Sequence, residues 1–179
     1  ILICMHAARG SQNGAAHSGQ IGQIDWYNSS AHRDQTLDVL GRLVERYQDQ
    51  PQFWGIELLN EPRLGPKRWW VLRSFYRHAF QLLGGKTRIV FSDAFVPRLM
   101  TGVLGPRAIM DVHWYQFGLL LEGLLPLRFY YWLLRRRPSL IRYLQRNQAV
   151  IIGEWSIVLS AKTLRHHPQR SHEAMMDEH

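Results

Sequence analysis

The run Phe53-Trp54-Gly55-Ile56-Glu57-Leu58-Leu59-Asn60-Glu61-Pro62 constrains the fold more than any other stretch of the chain. Apolar residues flank a single Glu, and the run stops at Asn-Glu-Pro. A short apolar run closed by proline reads as a buried strand that feeds a loop. Pro62 has no N–H for a sheet ladder, and its ring biases Glu61 towards an extended backbone. Asn60 and Glu61 are therefore expected at the C-terminal mouth of a strand, the face on which a parallel α/β barrel does its chemistry. A later stretch, Val150-Ile151-Ile152-Gly153-Glu154-Trp155-Ser156, repeats the pattern of an apolar run that ends in a carboxylate.

Between and around these runs the hydrophobic period switches back and forth. Ile1–Met5 reads as a strand that ends at His6, followed by a small polar loop containing Gly10-Ser11-Gln12-Asn13-Gly14. Leu37, Leu40, Val44 and Tyr47 recur at steps of three and four, which predicts a helix from about Arg33 to Gln48. The strand Trp54–Asn60 follows, then a helix over Pro66–Leu83 that stops at Gly84-Gly85. Arg88–Phe91 is the next strand, ending at Ser92-Asp93, with a short helix across Pro97–Leu104. Ala108–Val112 leads into His113-Trp114-Tyr115. A helix is expected from about Leu127 to Arg146, broken or restarted at Pro138, before the strand that ends at Glu154. Strand–helix alternation without a hairpin signal predicts an α/β fold with a parallel sheet. No linker interrupts 1–179, so a single domain is expected.

Composition narrows the function classes. Of 179 residues, 46% are hydrophobic and 20% charged, an ordinary globular balance. Net charge is +8, but the basic residues are scattered along helical stretches. The one dense cluster, Arg135-Arg136-Arg137, reads as a solvated helix end, and no nucleic-acid motif accompanies it. Cys4 is the only cysteine, so no internal disulfide forms. The apolar region from Phe117 to Leu134 is interrupted by Glu122, Pro126 and Arg128, which falls short of a membrane span. The segment containing His166, His167, His172, Glu173, Asp177 and His179 lacks the second His of a zinc helix and reads as a solvated tail.

Polar residues gather at the predicted strand ends: His6, Asn60, Glu61, Asp93, His113, Tyr115, Glu154 and Trp155. In a parallel sheet all of these face one mouth. Two carboxylates there suit glycosidic bond cleavage, in which a protonated carboxyl serves the leaving oxygen and an ionised one attacks the anomeric carbon. Asn60 can bond a sugar hydroxyl, Tyr115 can donate to a carboxylate, and His113 can bond either. Trp26, Trp114 and Trp155 could stack on a pyranose. For each Glu alone, a solvated strand end is the competing reading. Glu57, inside the run, reads as structural, Asp93 as a wall residue, and Trp69 and Trp70 as helix core.

Four segments in order carry a family resemblance: Gly10–Gly14, Gly55–Pro62, Asp111–Tyr115 and Gly153–Ser156. Together they resemble glycoside hydrolase family five of the cellulase-like clan, nearest its exo-β-1,3-glucanase-type branch, from Ile1 to about Ser156. The resemblance implies a (β/α)8 TIM barrel, incomplete here and spanning about strands three to seven, and double-displacement hydrolysis of β-glucan with retention. It implies Glu61 as acid/base and Glu154 as nucleophile. His6, Asn60, His113, Tyr115 and Trp155 would meet the substrate, with no cofactor or metal. Two loops depart from the family. His6-Ala7-Ala8-Arg9-Gly10 stands where His-Gly-Ala-Pro-Gly is common, and Ala15-Ala16-His17 replaces an aromatic residue and Asp-Asn. A complete barrel takes about 250 residues, so the chain is expected to be an internal fragment. The pocket Arg of strand two and platform Trp of strand eight have no counterpart in it. Such a fragment, with open sheet edges, is expected to associate and to be inactive by itself. The competing functions are a carbohydrate-binding or inactive relative, and a β-1,4-glucan or mannan hydrolase of the same family.

Overall fold

The computed structural model describes residues 1–115 and 127–156. Five strands alternate with helices: β1 Leu2–Cys4, α1 Ser30–Tyr47, β2 Gly55–Glu57, α2 Pro66–Leu83, β3 Ile89–Ser92, α3 Pro97–Met100, β4 Ile109–Tyr115, α4 Leu127–Leu144 and β5 Ala149–Ser156. The chain is thus α/β, as the alternating periods predict. Two compact units emerge. The first takes Ile1–Val112 and Leu144–Ile151, and the second takes His113–Tyr143 and the chain from Ile152. The expected tail histidines and most of the apolar region from Phe117 lie outside the described residues.

All five strands enter the first unit, in the sheet order β1-β2-β3-β4-β5. Leu2 pairs with Gly55, Ile56 with Ile89 and Val90 with Ile109, each in parallel. Sequential parallel neighbours need a crossover, and the helices supply it. The loops that follow β1, β2 and β3 therefore leave one edge of the sheet. Gly55 lets β2 approach β3: a Cβ there would lie 2.7 Å from the Arg88 carbonyl oxygen. Ile56, Leu58, Leu59, Val90 and Phe91 are fully buried. Glu57 is buried among them.

Helix α1 starts ahead of its apolar pattern because Ser29 caps it, its Oγ accepting from the His32 N–H at 3.3 Å. Its stripe buries Thr36, Leu40 and Val44. Helix α2 has Pro66 in its first turn, where the missing N–H costs nothing, and buries Leu72, Phe75, Tyr76, Ala79 and Leu83.

Several expectations fail for physical reasons. Trp26 cannot stack on a sugar: it is fully buried, edge-on against Tyr27 and Phe75, and its indole N–H donates to Thr36 Oγ1 at 3.0 Å. Trp70 is not core; it projects from α2 at 65% exposure, one step off the buried stripe. Pro138 does not break α4, which runs through it. One lost hydrogen bond is outweighed by an apolar stripe that buries Leu134 and Leu144. Arg135–Arg137 accordingly lie inside α4 rather than at its end.

Candidate active site

The edge where β1 and β2 end is organised by one buried amide. Gln12 Oε1 accepts from the Ala8 N–H at 3.2 Å, and its Nε2 donates to the carbonyls of His6 at 2.7 Å and Asn60 at 2.9 Å. Asn60 N–H donates to the Met5 carbonyl, extending the β1–β2 association beyond the ladder. Asn60 is buried, and its Oδ1 has no hydrogen-bond partner among the described residues.

Glu61 follows with φ +43°, in the left-handed region. The extended conformation expected before Pro62 is therefore overturned. In the left-handed conformation the Glu61 carbonyl accepts from Asn13 Nδ2 at 3.0 Å. That bond and the neighbouring loop contacts offset a backbone cost of about 1–3 kcal/mol. Ser11, Ala94 and Phe95 also have positive φ without being glycine, so each of the loops after β1, β2 and β3 carries such a residue. Strain of this kind gathers at functional sites. Glu61 Oε2 lies 3.3 Å from His17 Nε2, and the Glu61 side chain is 12% exposed. A cleft of about 420 Å³ opens beside it, lined by Asn13, Pro62, Arg63 and Phe95 among others. That size suits a small ligand. His6 is exposed at the end of β1, its ring centroid 6.2 Å from that of His17. Asp93 is buried and caps the turn after β3, its Oδ1 accepting from the Phe95 N–H at 2.9 Å.

In the second unit Glu154 lies within β5, two residues before its end. Tyr115 donates its hydroxyl to Glu154 Oε2 at 2.5 Å. His113 Nε2 lies 4.0 Å from Glu154 Oε1, with the imidazole almost completely buried. Alternation along β4 puts His113 and Tyr115 on one face, two residues apart, so both reach the same carboxylate. Arg137 Nη2 donates to the Tyr115 carbonyl at 3.2 Å, and its guanidinium sits 4.9 Å from the Trp114 ring centroid. Burial lowers Arg137 to about 10, which leaves it charged at neutral pH. It was expected to be a solvated cation, but it braces the strand that carries Tyr115. Trp155 is 64% exposed.

The structure therefore gathers His6, Asn60 and Glu61 in the first unit, and His113, Tyr115 and Glu154 in the second. Gln12, Asn13 and His17 escaped the sequence reading as site residues, although the segment Gly10–Gly14 was conspicuous. Their contacts depend on left-handed turns that no period announces.

The chain is an α/β parallel sheet that carries acidic, amide, phenol and imidazole side chains at or just beyond the C-terminal ends of its strands. No family model matches the chain. In sequence it is similar to the glucan 1,3-beta-glucosidase of Pichia angusta, 36% identical over 100 residues, covering 53% of this chain and 23% of that protein. It is also similar to the probable glucan 1,3-beta-glucosidase A of Aspergillus niger, 30% identical over 167 residues, with 89% and 39% covered. A third relative, the glucan 1,3-beta-glucosidase of Blumeria graminis, is 34% identical over 125 residues. The matches thus span between 23% and 39% of the length of these relatives. In structure the chain resembles rutinosidase from Aspergillus niger with a TM-score of 0.66 at 18% identity, over 96% of this chain and 56% of that one. This last likeness is one of fold.

Proposed function

We propose that the chain is the central part of a retaining glycosidase of the family-five type, acting on β-glucan and favouring exo-hydrolysis of β-1,3 linkages. In this reading the five strands are the third to seventh of a (β/α)8 barrel. Glu61 protonates the leaving oxygen, Glu154 attacks the anomeric carbon, and Glu61 then activates water against the glycosyl-enzyme. Asn60 takes a hydroxyl of the reacting sugar, His6 lines the pocket, and Trp155 offers a stacking face. His113 and Tyr115 hold Glu154.

The observation that carries the reading is the 2.5 Å bond from Tyr115 to Glu154, with His113 on the other carboxylate oxygen. A nucleophile needs its attacking oxygen fixed, and a short charge-assisted bond to the other oxygen does this. The relatives named glucan 1,3-beta-glucosidase support the same substrate class.

The test is Glu154→Ala in the full-length protein, assayed on β-1,3 and β-1,4 glucans. Turnover should fall by about a thousandfold or more. Azide should restore part of it as a glycosyl azide of inverted configuration. Normal hydrolysis by the variant would end the proposal. Full-length protein that binds glucan without cleaving it would favour a carbohydrate-binding role.

A further inference from the structure

We infer that the outer face of α2 is a second, non-catalytic binding site, and that it takes an acidic polysaccharide, a chain of pyranoses that carries carboxylates. Charge first singles out this helix. Its 18 residues include Lys67, Arg68, Arg73 and Arg77 and no Asp or Glu. Helix α4 has the same bias, with five arginines and no acid. The net charge of +8 resides on these two helices: the rest of the chain holds 13 of the 22 basic residues against all 14 acidic ones. In α2 the charge is also organised. Trp70, Arg73, Ser74, Arg77, His78 and Gln81 recur at steps of three and four, share one face and line a groove of about 390 Å³. No acidic residue lines that groove. A neighbouring groove of about 330 Å³, lined from both α1 and α2, shares Trp70, Ser74 and His78 and adds Arg33 and Asp34.

Trp70 stands where the two grooves meet, with its ring largely exposed. Among the described residues the side chains of Trp70, Arg73, Ser74, His78 and Gln81 make no hydrogen bond or ion pair with the rest of the protein. Arg77 engages only its Nε, which donates to the Val103 carbonyl at 3.5 Å. Arg68, by contrast, is laid over the Tyr27 ring and stands outside the stripe. The face is thus rich in donors, and its complement is a ligand rich in acceptors. Guanidiniums one helical turn apart, at about 6 Å, suit successive carboxylates through paired charge-assisted hydrogen bonds. The flat, apolar indole beside them suits the apolar face of a sugar ring. Other anionic partners fit less well. A nucleic acid draws its affinity from many phosphate contacts, and two arginines supply few. A peptide helix needs a row of apolar anchors, whereas Trp70 is the one large apolar side chain that is exposed in either groove. A membrane offers no chain to enter a groove.

The experiment is calorimetric titration of the full-length protein with oligogalacturonate, a chain of uronate pyranoses. Arg73→Gln combined with Arg77→Gln should weaken binding by about tenfold or more. Trp70→Gln, which leaves the charge unchanged, should weaken it by about fivefold or more, and Trp70→Tyr, which keeps a ring, should retain most of it. Gln suits an exposed helix position, so melting temperatures should stay near that of the parent. Arg135→Gln combined with Arg142→Gln removes the same charge from α4 and should leave binding unchanged. A parent that does not bind oligogalacturonate overturns the inference. So does an equal loss in the α2 and α4 double variants, or full binding by Trp70→Gln, since either result means charge alone. Polyglutamate bound as tightly and with the same dependence on Trp70 would make the partner an acidic peptide and overturn the polysaccharide. Vesicles of phosphatidylserine and phosphatidylcholine, bound through Trp70 while oligogalacturonate is not, would replace it with a membrane surface.

Discussion

At the scale of single residues, the left-handed Glu61 is the most informative departure from what local preference dictates. Pre-proline residues avoid this region, and a Cβ there costs about 1–2 kcal/mol. Glycine takes the same backbone without that cost. Glu61→Gly should therefore melt a few degrees above Glu61→Ala, although neither variant retains the carboxyl. Thermal unfolding followed by circular dichroism checks this; equal melting points would mean that the turn carries no strain. His17 and Arg137 belong to the same scale. Each looks like a surface residue in sequence, and each contacts a neighbour that matters: Glu61 Oε2 in one case, the Tyr115 carbonyl in the other.

At the scale of elements, Gly55 limits how closely β2 and β3 can lie. Gly55→Ala would press a methyl group against the Arg88 carbonyl, an atom of the backbone that cannot swing aside. A loss of about 1–3 kcal/mol is expected, read as a lower urea midpoint with an unchanged slope. A variant as stable as the parent would show that the strands can part at this point. The elements themselves were largely legible in sequence. α2 occupies the predicted Pro66–Leu83, because its apolar spacing, its N-terminal proline and the glycines after it all agree. Legibility failed where one signal was overruled by another. Ser29 moved the start of α1 outward, and packing carried α4 across Pro138. The positions of the two glutamates near strand ends were legible, because an apolar run closed by polar residues is a local pattern. Their supports were only half legible. Tyr115 and His113 follow from alternation along β4, but Asn13 and His17 reach Glu61 through loop geometry that depends on positive φ at Ser11 and Gly14.

At the scale of the whole molecule, a net charge of +8 invites comparison with nucleic-acid binders. The arginines are disposed otherwise. Arg46, Arg68, Arg88, Arg107, Arg136 and Arg137 each lie over an aromatic ring, at 4.9 to 5.7 Å from its centroid. Such pairs tie cations to local packing instead of collecting them into a stripe that tracks phosphates. Duplex DNA should therefore not be retarded by the protein in a gel at near-physiological salt. A shift that fades steeply as salt rises would reinstate an electrostatic role. Among the described residues no helix is long and apolar enough to cross a membrane.

The buried amide of Gln12 carries a further consequence, one of chemical ageing. It uses one acceptor and both donors on three backbone groups from two different loops. Deamidation would leave the shape untouched and set carboxylate lone pairs against the carbonyls of His6 and Asn60. The side chain nearest in size is thus the worst replacement, and a single hydrolysed amide would loosen both strand termini at once.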